Sequence, residues 1–283
     1  MTERRSRPEH SAAGRLPVAL TVAGSDSGGG AGIAADLHTF AAHGVWGTCA
    51  VTAVTAQNSV GVEAVEVLPA EIVIAQIEAV AGDVGVEAAK TGMLGGAAVV
   101  EAVAAAVVEW DLHPLVVDPV AVASTGAALL DPDGVAALRQ LLLPLADLVT
   151  PNLAEAAALA GLDEIPADRA AMERLAAILF DLGPGAVLLT GGHLPGPESP
   201  DLLVWRSEAG NGTVWIPGGR LDSRHTHGTG CVLSAAITAR LARGEALVQA
   251  VEGAKAFVTA AIAAGVGLGA GPGAVNPSGS SPP

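Results

Sequence analysis

The stretch His227-Gly228-Thr229-Gly230-Cys231, followed by Val232-Leu233-Ser234-Ala235-Ala236-Ile237-Thr238-Ala239-Arg240-Leu241-Ala242-Arg243, is a glycine-rich turn that opens a helix. Apolar residues at 233, 236, 237 and 241 share one helical face. Gly244 supplies a stop, and Arg240 and Arg243 sit in the last turns, where cations suit the helix dipole. Two glycines ahead of the helix let backbone N–H groups face a ligand with no Cβ in the way. A helix N-terminus with open N–H groups attracts anions, phosphate above all. A cysteine at such a terminus can be driven towards thiolate. The plainer reading is a tight turn with a buried small Cys231.

Upstream, strand and helix patterns alternate. An apolar strand at 16–22 runs into Gly24-Ser25-Asp26-Ser27-Gly28-Gly29-Gly30-Ala31-Gly32, and a helix follows over 33–43. This loop carries neither the Gly-Lys-Ser/Thr of a P-loop nor the glycine spacing of a dinucleotide fingerprint. Further strands are expected at 45–55, 86–90, 115–118, 147–149 and 186–189, and helices at 69–81, 97–110, 132–143, 151–160, 167–181 and 246–264. Residues 201–206 and 213–216 read as a closing hairpin. Alternation of this kind builds a mainly parallel sheet with helices on both faces, an α/β fold. Ligands then bind at the carboxyl ends of the strands. The polar clusters fall there: Gln57-Asn58, Thr91–Met93, Asp118, Asn152–Glu155 and Thr190–His193. With no repeat and no linker, one domain is expected over 15–276, with tails at 1–14 and 277–283.

Composition narrows the function. The 283 residues are 51% hydrophobic but only 2% aromatic, so the core must be built from Ala, Val and Leu. A net charge of -15 argues against a nucleic-acid partner, which needs a basic footprint. Lys90 and Lys255 are the only lysines, so a phosphate site must come from local N–H groups, a metal and a few cations. Cys49 and Cys231 form no disulfide framework, which points to a reducing cytoplasm. The uncharged runs 41–62 and 256–283 are broken by Gly and polar residues, and neither reads as a membrane span. His225, His227 and Cys231 lack a fourth ligand at zinc spacing.

Seven motifs now stand in order: residues 22–37 (the Gly24–Gly32 loop with its helix), Ala53–Asn58, Lys90–Leu94, Val117–Val120, Thr150–Glu155, Gly191–His193 and His227–Cys231. Together they resemble the hydroxymethylpyrimidine/phosphomethylpyrimidine kinases of thiamine biosynthesis, in the ribokinase-like superfamily. The likeness covers roughly 17–276, and Gly271–Asn276 looks like the family's Gly-Pro-Val-Asn ending with an insertion. The resemblance implies a three-layer αβα sandwich. It implies ATP-dependent phosphorylation of 4-amino-5-hydroxymethyl-2-methylpyrimidine and then of its monophosphate, a need for Mg²⁺, and often a dimer.

On that resemblance the N–H groups of Gly228, Thr229, Gly230 and Cys231 cover the transferred phosphoryl oxygens. Cys231 stands where most relatives of the fold place an Asp base; it takes the hydroxyl proton or else only shapes the pocket. Gln57 reads the aminopyrimidine, because a carboxamide offers an acceptor and a donor to a ring nitrogen beside an exocyclic amine. Gly24 and Val120 line the same ring. Asp36 is either a pocket carboxylate or a solvated helix charge, and Met93 either a soft wall on the ring or core. Asp118 and Glu155 are the Mg²⁺ candidates, directly or through water. Asn152, Thr190 and His193 border ATP; Lys255 does so too, or lies exposed on the last helix. Thr190 stands where many relatives carry Lys. Ala121 and Ser124 replace a frequent Met and Lys, which bears on how the second phosphate is held. Competing readings are pyridoxal kinase activity, alone or dual, a broader sugar or nucleoside kinase, and a non-catalytic pyrimidine sensor.

Overall fold

The computed structural model describes residues 15–121, 129–207 and 210–279. Its first strand, β1 (Val18–Ala23), enters the Gly-rich loop and helix α1 (Gly32–Ala42). Then come β2 (Trp46–Val51), β3 (Ala53–Gln57), β4 (Val62–Val67), α2 (Ala70–Ala79), β5 (Ala88–Thr91), α3 (Ala97–Trp110) and β6 (Leu115–Val117). The second half runs α4 (Pro132–Ala137), β7 (Leu148–Val149), α5 (Leu153–Ala160), α6 (Arg169–Phe180), β8 (Ala186–Leu189), β9 (Asp201–Trp205), β10 (Gly212–Ile216), α7 (Thr229–Ala242) and α8 (Leu247–Ala263). The main sheet has the order β10-β9-β8-β7-β6-β5-β1-β2. Strands β2, β1, β5, β6, β7 and β8 are parallel, and β9 and β10 close the edge antiparallel.

Alternating side chains along each strand feed two helical layers, as a pleated strand requires. Leu20, Val22, Val117, Val149 and Val187 pack with α2, α3, α5 and α6. Their neighbours Val116, Leu148 and Leu188 face the opposite way, onto α7 and α8. Ala19 and Ala88 meet α1 and α7. Burial on both faces explains why these strands read as continuous Val/Ala/Leu runs. Among the described residues, no helix is long and apolar enough to cross a membrane.

Two departures from the sequence reading matter. The strand expected over 45–55 is two strands. Its first half, β2, belongs to the sheet; β3 leaves it and pairs antiparallel with β4 as a separate hairpin. The break falls at Thr52, which is fully buried. Its N–H donates to Ala23 O at 3.0 Å and its hydroxyl to Met93 O at 2.6 Å, so its backbone turns off the sheet edge. Second, residues 277–279 form a short 3₁₀ turn with Pro277 buried, where a tail was expected. Residues 1–14 and 280–283, the remaining tail expectations, lie outside the described residues, as does Ser124.

Candidate functional site

The carboxyl ends of the parallel strands open into a cavity of about 650 Å³. Gly24, Gln57, Met93, Asp118, Val120, Asn152, Glu155, Thr190, His193, Lys255 and the Gly228–Cys231 turn all line it. Among the described residues given a catalytic, substrate, nucleotide or metal role above, Asp36 is the one that does not.

Asp36 is neither a pocket carboxylate nor a solvated charge. Position 36 shares a face of α1 with Ala35, Thr39 and Phe40, all buried against the sheet. Thr21 and Lys90 are register partners on β1 and β5, so their side chains leave the sheet together towards that helix. The Asp36 carboxylate accepts Thr21 Oγ1 at 2.6 Å and Lys90 Nζ at 3.0 Å on both oxygens. Both partners of the ion pair are fully buried. Burial would lower the Lys90 pKa, but the charge of Asp36, then those of Cys231 and Asp118, outweigh it and hold the ammonium above its ordinary range. Lys90 thus lines the cavity floor, fully buried, as a fixed positive charge. The sequence held a signal for it, a lone lysine closing an Ala/Val strand.

The Gly24–Gly32 loop is tied down on three sides. Ser25 N–H donates to Ala53 O at 2.8 Å and Thr55 Oγ1 to Ser25 O at 2.8 Å, so the loop lies along β3. Ser27 Oγ receives the Gln57 N–H at 2.8 Å, which fixes the backbone of Gln57 at the hairpin's end. Asp26 turns its carboxylate inward and accepts N–H groups from Gly28 at 2.8 Å, Gly30 at 3.2 Å and Ala31 at 2.9 Å, with His227 Nε2 at 3.0 Å. Burial pushes Asp26 up, but the His227 hydrogen bond and the backbone donors prevail and hold it below the ordinary carboxylate range.

At the other glycine-rich turn, Gly228 adopts φ +83 and caps α7 with no side-chain partner. Thr229 N–H closes the turn on Thr226 O at 3.2 Å. Gly230 and Cys231 stand in the first helical turn, where N–H groups have no intrahelical acceptor. Expected to be acidified by the helix terminus, the Cys231 thiol is instead pushed up to about 12. Burial is the chief cause, and Asp36 and Asp118 add to it against the charge of Lys90 and the Gly32 N–H.

Asp118 follows β6 and accepts Ser234 Oγ from α7 at 2.9 Å. Glu155 closes a capping box, its Oε2 accepting Asn152 N–H at 2.9 Å while Asn152 Oδ1 caps Ala154 and Glu155. Burial, and then the Asp118 charge, push the Glu155 carboxyl up to about 8. Burial likewise raises Asp118. Among the described residues no salt bridge reaches either group. Two hard oxygen donors in mutual repulsion fit Mg²⁺, which takes one or two carboxylates and completes its shell with water and phosphate. Among the described residues no three His, Cys, Asp or Glu side chains converge to make a full protein cage.

Lys255, at the cavity's far end, pairs with Asp201 at 2.7 Å and donates to Ser199 O at 2.9 Å. Leu221, Leu233, Val258 and Ile262 give that end an apolar wall. Sequence reasoning missed Arg220, whose guanidinium donates to Gly192 O at 2.7 Å, Gly196 O at 2.9 Å and Leu194 O, and so shapes the loop carrying His193. No sequence pattern announces a side chain that serves carbonyls 24 to 28 positions away.

A family model described as phosphomethylpyrimidine kinase matches residues 26–276. A hydroxymethylpyrimidine/phosphomethylpyrimidine kinase of Rhizobium meliloti is 51% identical over 259 residues, covering 90% of this chain and 95% of that protein. Among solved structures, an ADP complex of Bacillus subtilis pyridoxal kinase superposes with a TM-score of 0.85 at 36% identity, covering 94% of this chain and 98% of that one. A phosphomethylpyrimidine kinase from Clostridium difficile 630 gives a TM-score of 0.75 at 38% identity, over 87% of this chain and 98% of that one.

Proposed function

This chain belongs to the phosphomethylpyrimidine kinase family and is a ribokinase-like small-molecule kinase, and we propose that it phosphorylates 4-amino-5-hydroxymethyl-2-methylpyrimidine and then the resulting monophosphate, for thiamine biosynthesis. One observation carries the reading: the Gln57 strand end and the Gly228–Cys231 turn open on a single cavity with the Asp118–Glu155 pair. Gln57 reads the ring nitrogen and amine, with Gly24, Met93 and Val120 as walls. The nucleotide base takes the apolar end near Leu221, Val258 and Ile262. Asn152, Thr190, His193 and Lys255 border its ribose and phosphates. Asp118 and Glu155 would hold Mg²⁺, which would neutralise phosphate charge.

In the first reaction the hydroxymethyl oxygen attacks the γ-phosphorus, the bond to the β-phosphate oxygen breaks, and ADP leaves. The transition state is loose, so most of the protein's work is positioning and charge cover. The Gly230 and Cys231 N–H groups supply cover on the transferred oxygens. Cys231 receives the hydroxyl proton as thiolate. Burial and the charges of Asp36 and Asp118 push the unliganded thiol up to about 12, which opposes the base role; the competing reading is that Cys231 shapes the pocket while a phosphate oxygen or water takes the proton. The homodimer belongs to this reading and is supported by Val54, Val65 and Val67, left exposed on the hairpin. A cytoplasmic setting is supported by the two free thiols, Cys49 and Cys231.

The purified protein is incubated with Mg-ATP and the hydroxymethylpyrimidine, and separately with pyridoxal, and mass spectrometry counts the phosphates. Mono- and then diphosphate on the pyrimidine is the expected result. Product on pyridoxal alone would move the chain to vitamin B6 phosphorylation, and no product on either would leave a pyrimidine-binding sensor. In the same assay Cys231→Ala is expected to lower turnover by about 10²–10⁴-fold with pyrimidine binding little changed. Near-normal turnover would hand the proton to a phosphate oxygen or water.

A further inference from the structure

The contact between Asp26 and His227 joins residues 201 positions apart and lies at the junction of the two glycine-rich segments. Each partner is held by more than this contact. Asp26 is gripped by three N–H groups of its own loop. His227 is fixed through its backbone, its N–H donating to Gly273 O at 3.2 Å and its carbonyl accepting Val275 N–H at 3.1 Å. The two loops also touch without a gap. A Cβ on Gly30 would stand 2.7 Å from His227 Cδ2, and a Cβ on Gly228 would stand 1.9 Å from the Gly30 carbonyl oxygen. The His227 side chain is 16% exposed and that of Asp26 3%, and both residues line the cavity.

We propose that Asp26 and His227 are a positioning pair for phosphoryl transfer, the imidazole N–H clamped on the Asp26 carboxylate setting the Gly228–Cys231 turn against the Gly24–Gly32 loop. The residue after His227 begins the turn, so a shift of the ring moves the N–H groups that face the γ-phosphate. Phosphoryl transfer tolerates little such movement, since a displacement near 1 Å can lower a rate by about 10²-fold. Neither side chain transfers a proton or touches the reacting atoms in this assignment. The inference deepens the kinase reading above and rests on it.

The test uses the full chain with His227→Ala, His227→Gln and Asp26→Asn, and the double variant His227→Ala/Asp26→Asn. Gln carries its amide N–H at about the reach of imidazole Nε2, so it preserves the clamp. His227→Ala is expected to lower kcat roughly 10- to 100-fold while KM for the pyrimidine stays near that of the native chain. His227→Gln recovers most of this loss, and the double variant is no worse than the worse single one. A second readout needs no acceptor substrate. The affinity of AMP-PCP relative to ADP, by calorimetry, is expected to fall in His227→Ala and return in His227→Gln, because only the triphosphate reaches the turn. Additive losses, a Gln variant no better than Ala, or an unchanged AMP-PCP to ADP ratio would overturn the pair. If the native chain phosphorylates neither candidate acceptor, the substrate reading fails while the affinity ratio still decides the pair.

Discussion

Two glycine-rich loops open helices at the same cavity and treat anions in opposite ways. The Gly24–Gly32 loop wraps its N–H groups around its own carboxylate, Asp26. The Gly228–Cys231 turn has no acid of its own and no side-chain cap, so its first-turn N–H groups face the cavity. Glycine content therefore says only that backbone can approach an anion. Whether the anion is internal or a ligand depends on whether the loop carries a carboxylate at the right offset. The same contrast runs through the charged residues. Lys90–Asp36 and Lys255–Asp201 are ion pairs closed within the protein, whereas Glu155 has no cationic partner among the described residues and meets the charge of Asp118, which Lys90 offsets only in part.

Of the effects that test this contrast between the loops, the largest is at the open turn. Gly228→Ala puts a Cβ at φ +83, within 1.9 Å of Gly30 O, and must displace the turn from the loop. Turnover should fall by about 10²–10³-fold, the loss typical of a removed oxyanion donor, with far-UV circular dichroism unchanged. Native-like turnover would dissolve the contrast between the loops.

A smaller effect tests the carboxylate that lacks a cation, Glu155. Glu155 is raised in the fold from an ordinary 4.5 to about 8, so the unfolded chain ionises first. Its contribution to stability is complete below pH 4.5 and is lost as pH rises to 8. In EDTA the native chain should therefore melt lower at pH 8 than at pH 5, with Glu155 contributing at least about 1 kcal/mol, a few degrees. Glu155→Gln should flatten that profile, and Mg-ADP should restore the native chain at pH 8. Superimposable profiles for the two proteins would show that the pair is not strained.

The smallest effect lies in the self-satisfied loop. Gly29 has φ +77, yet a Cβ there meets nothing within 4 Å. Gly29→Ala should cost about 1 kcal/mol of stability in a melt and leave kcat unchanged. A large drop in kcat would mean that the first loop also reaches the phosphates.

How much could be read from the chain alone follows from the range of each interaction. Helix α3 was legible to the residue, because its Ala/Val pattern and flanking glycine are local signals. The cavity lining was legible as well, since parallel strands gather their carboxyl ends whatever the details. The hairpin was half legible. The Val-rich run Val62-Glu63-Ala64-Val65-Glu66-Val67 has strand propensity but no strict alternation, and the turn at Thr52 depends on contacts with Ala23 and Met93.

The sequence by itself determined the alternating α/β architecture, the family, and the positions at which polar chemistry meets the cavity, because periodicity, glycine and proline act through near neighbours. Only the tertiary structure decided which charges are already answered inside the protein. Asp36 looked available until the β1–β5 register set Lys90 and Thr21 beneath it. Asp26 and His227 meet across 201 positions. Cys231 at a helix terminus reads as an acidified thiol, yet burial reverses the direction. Desolvation and pairing are properties of packed space, and no spacing along the chain encodes them.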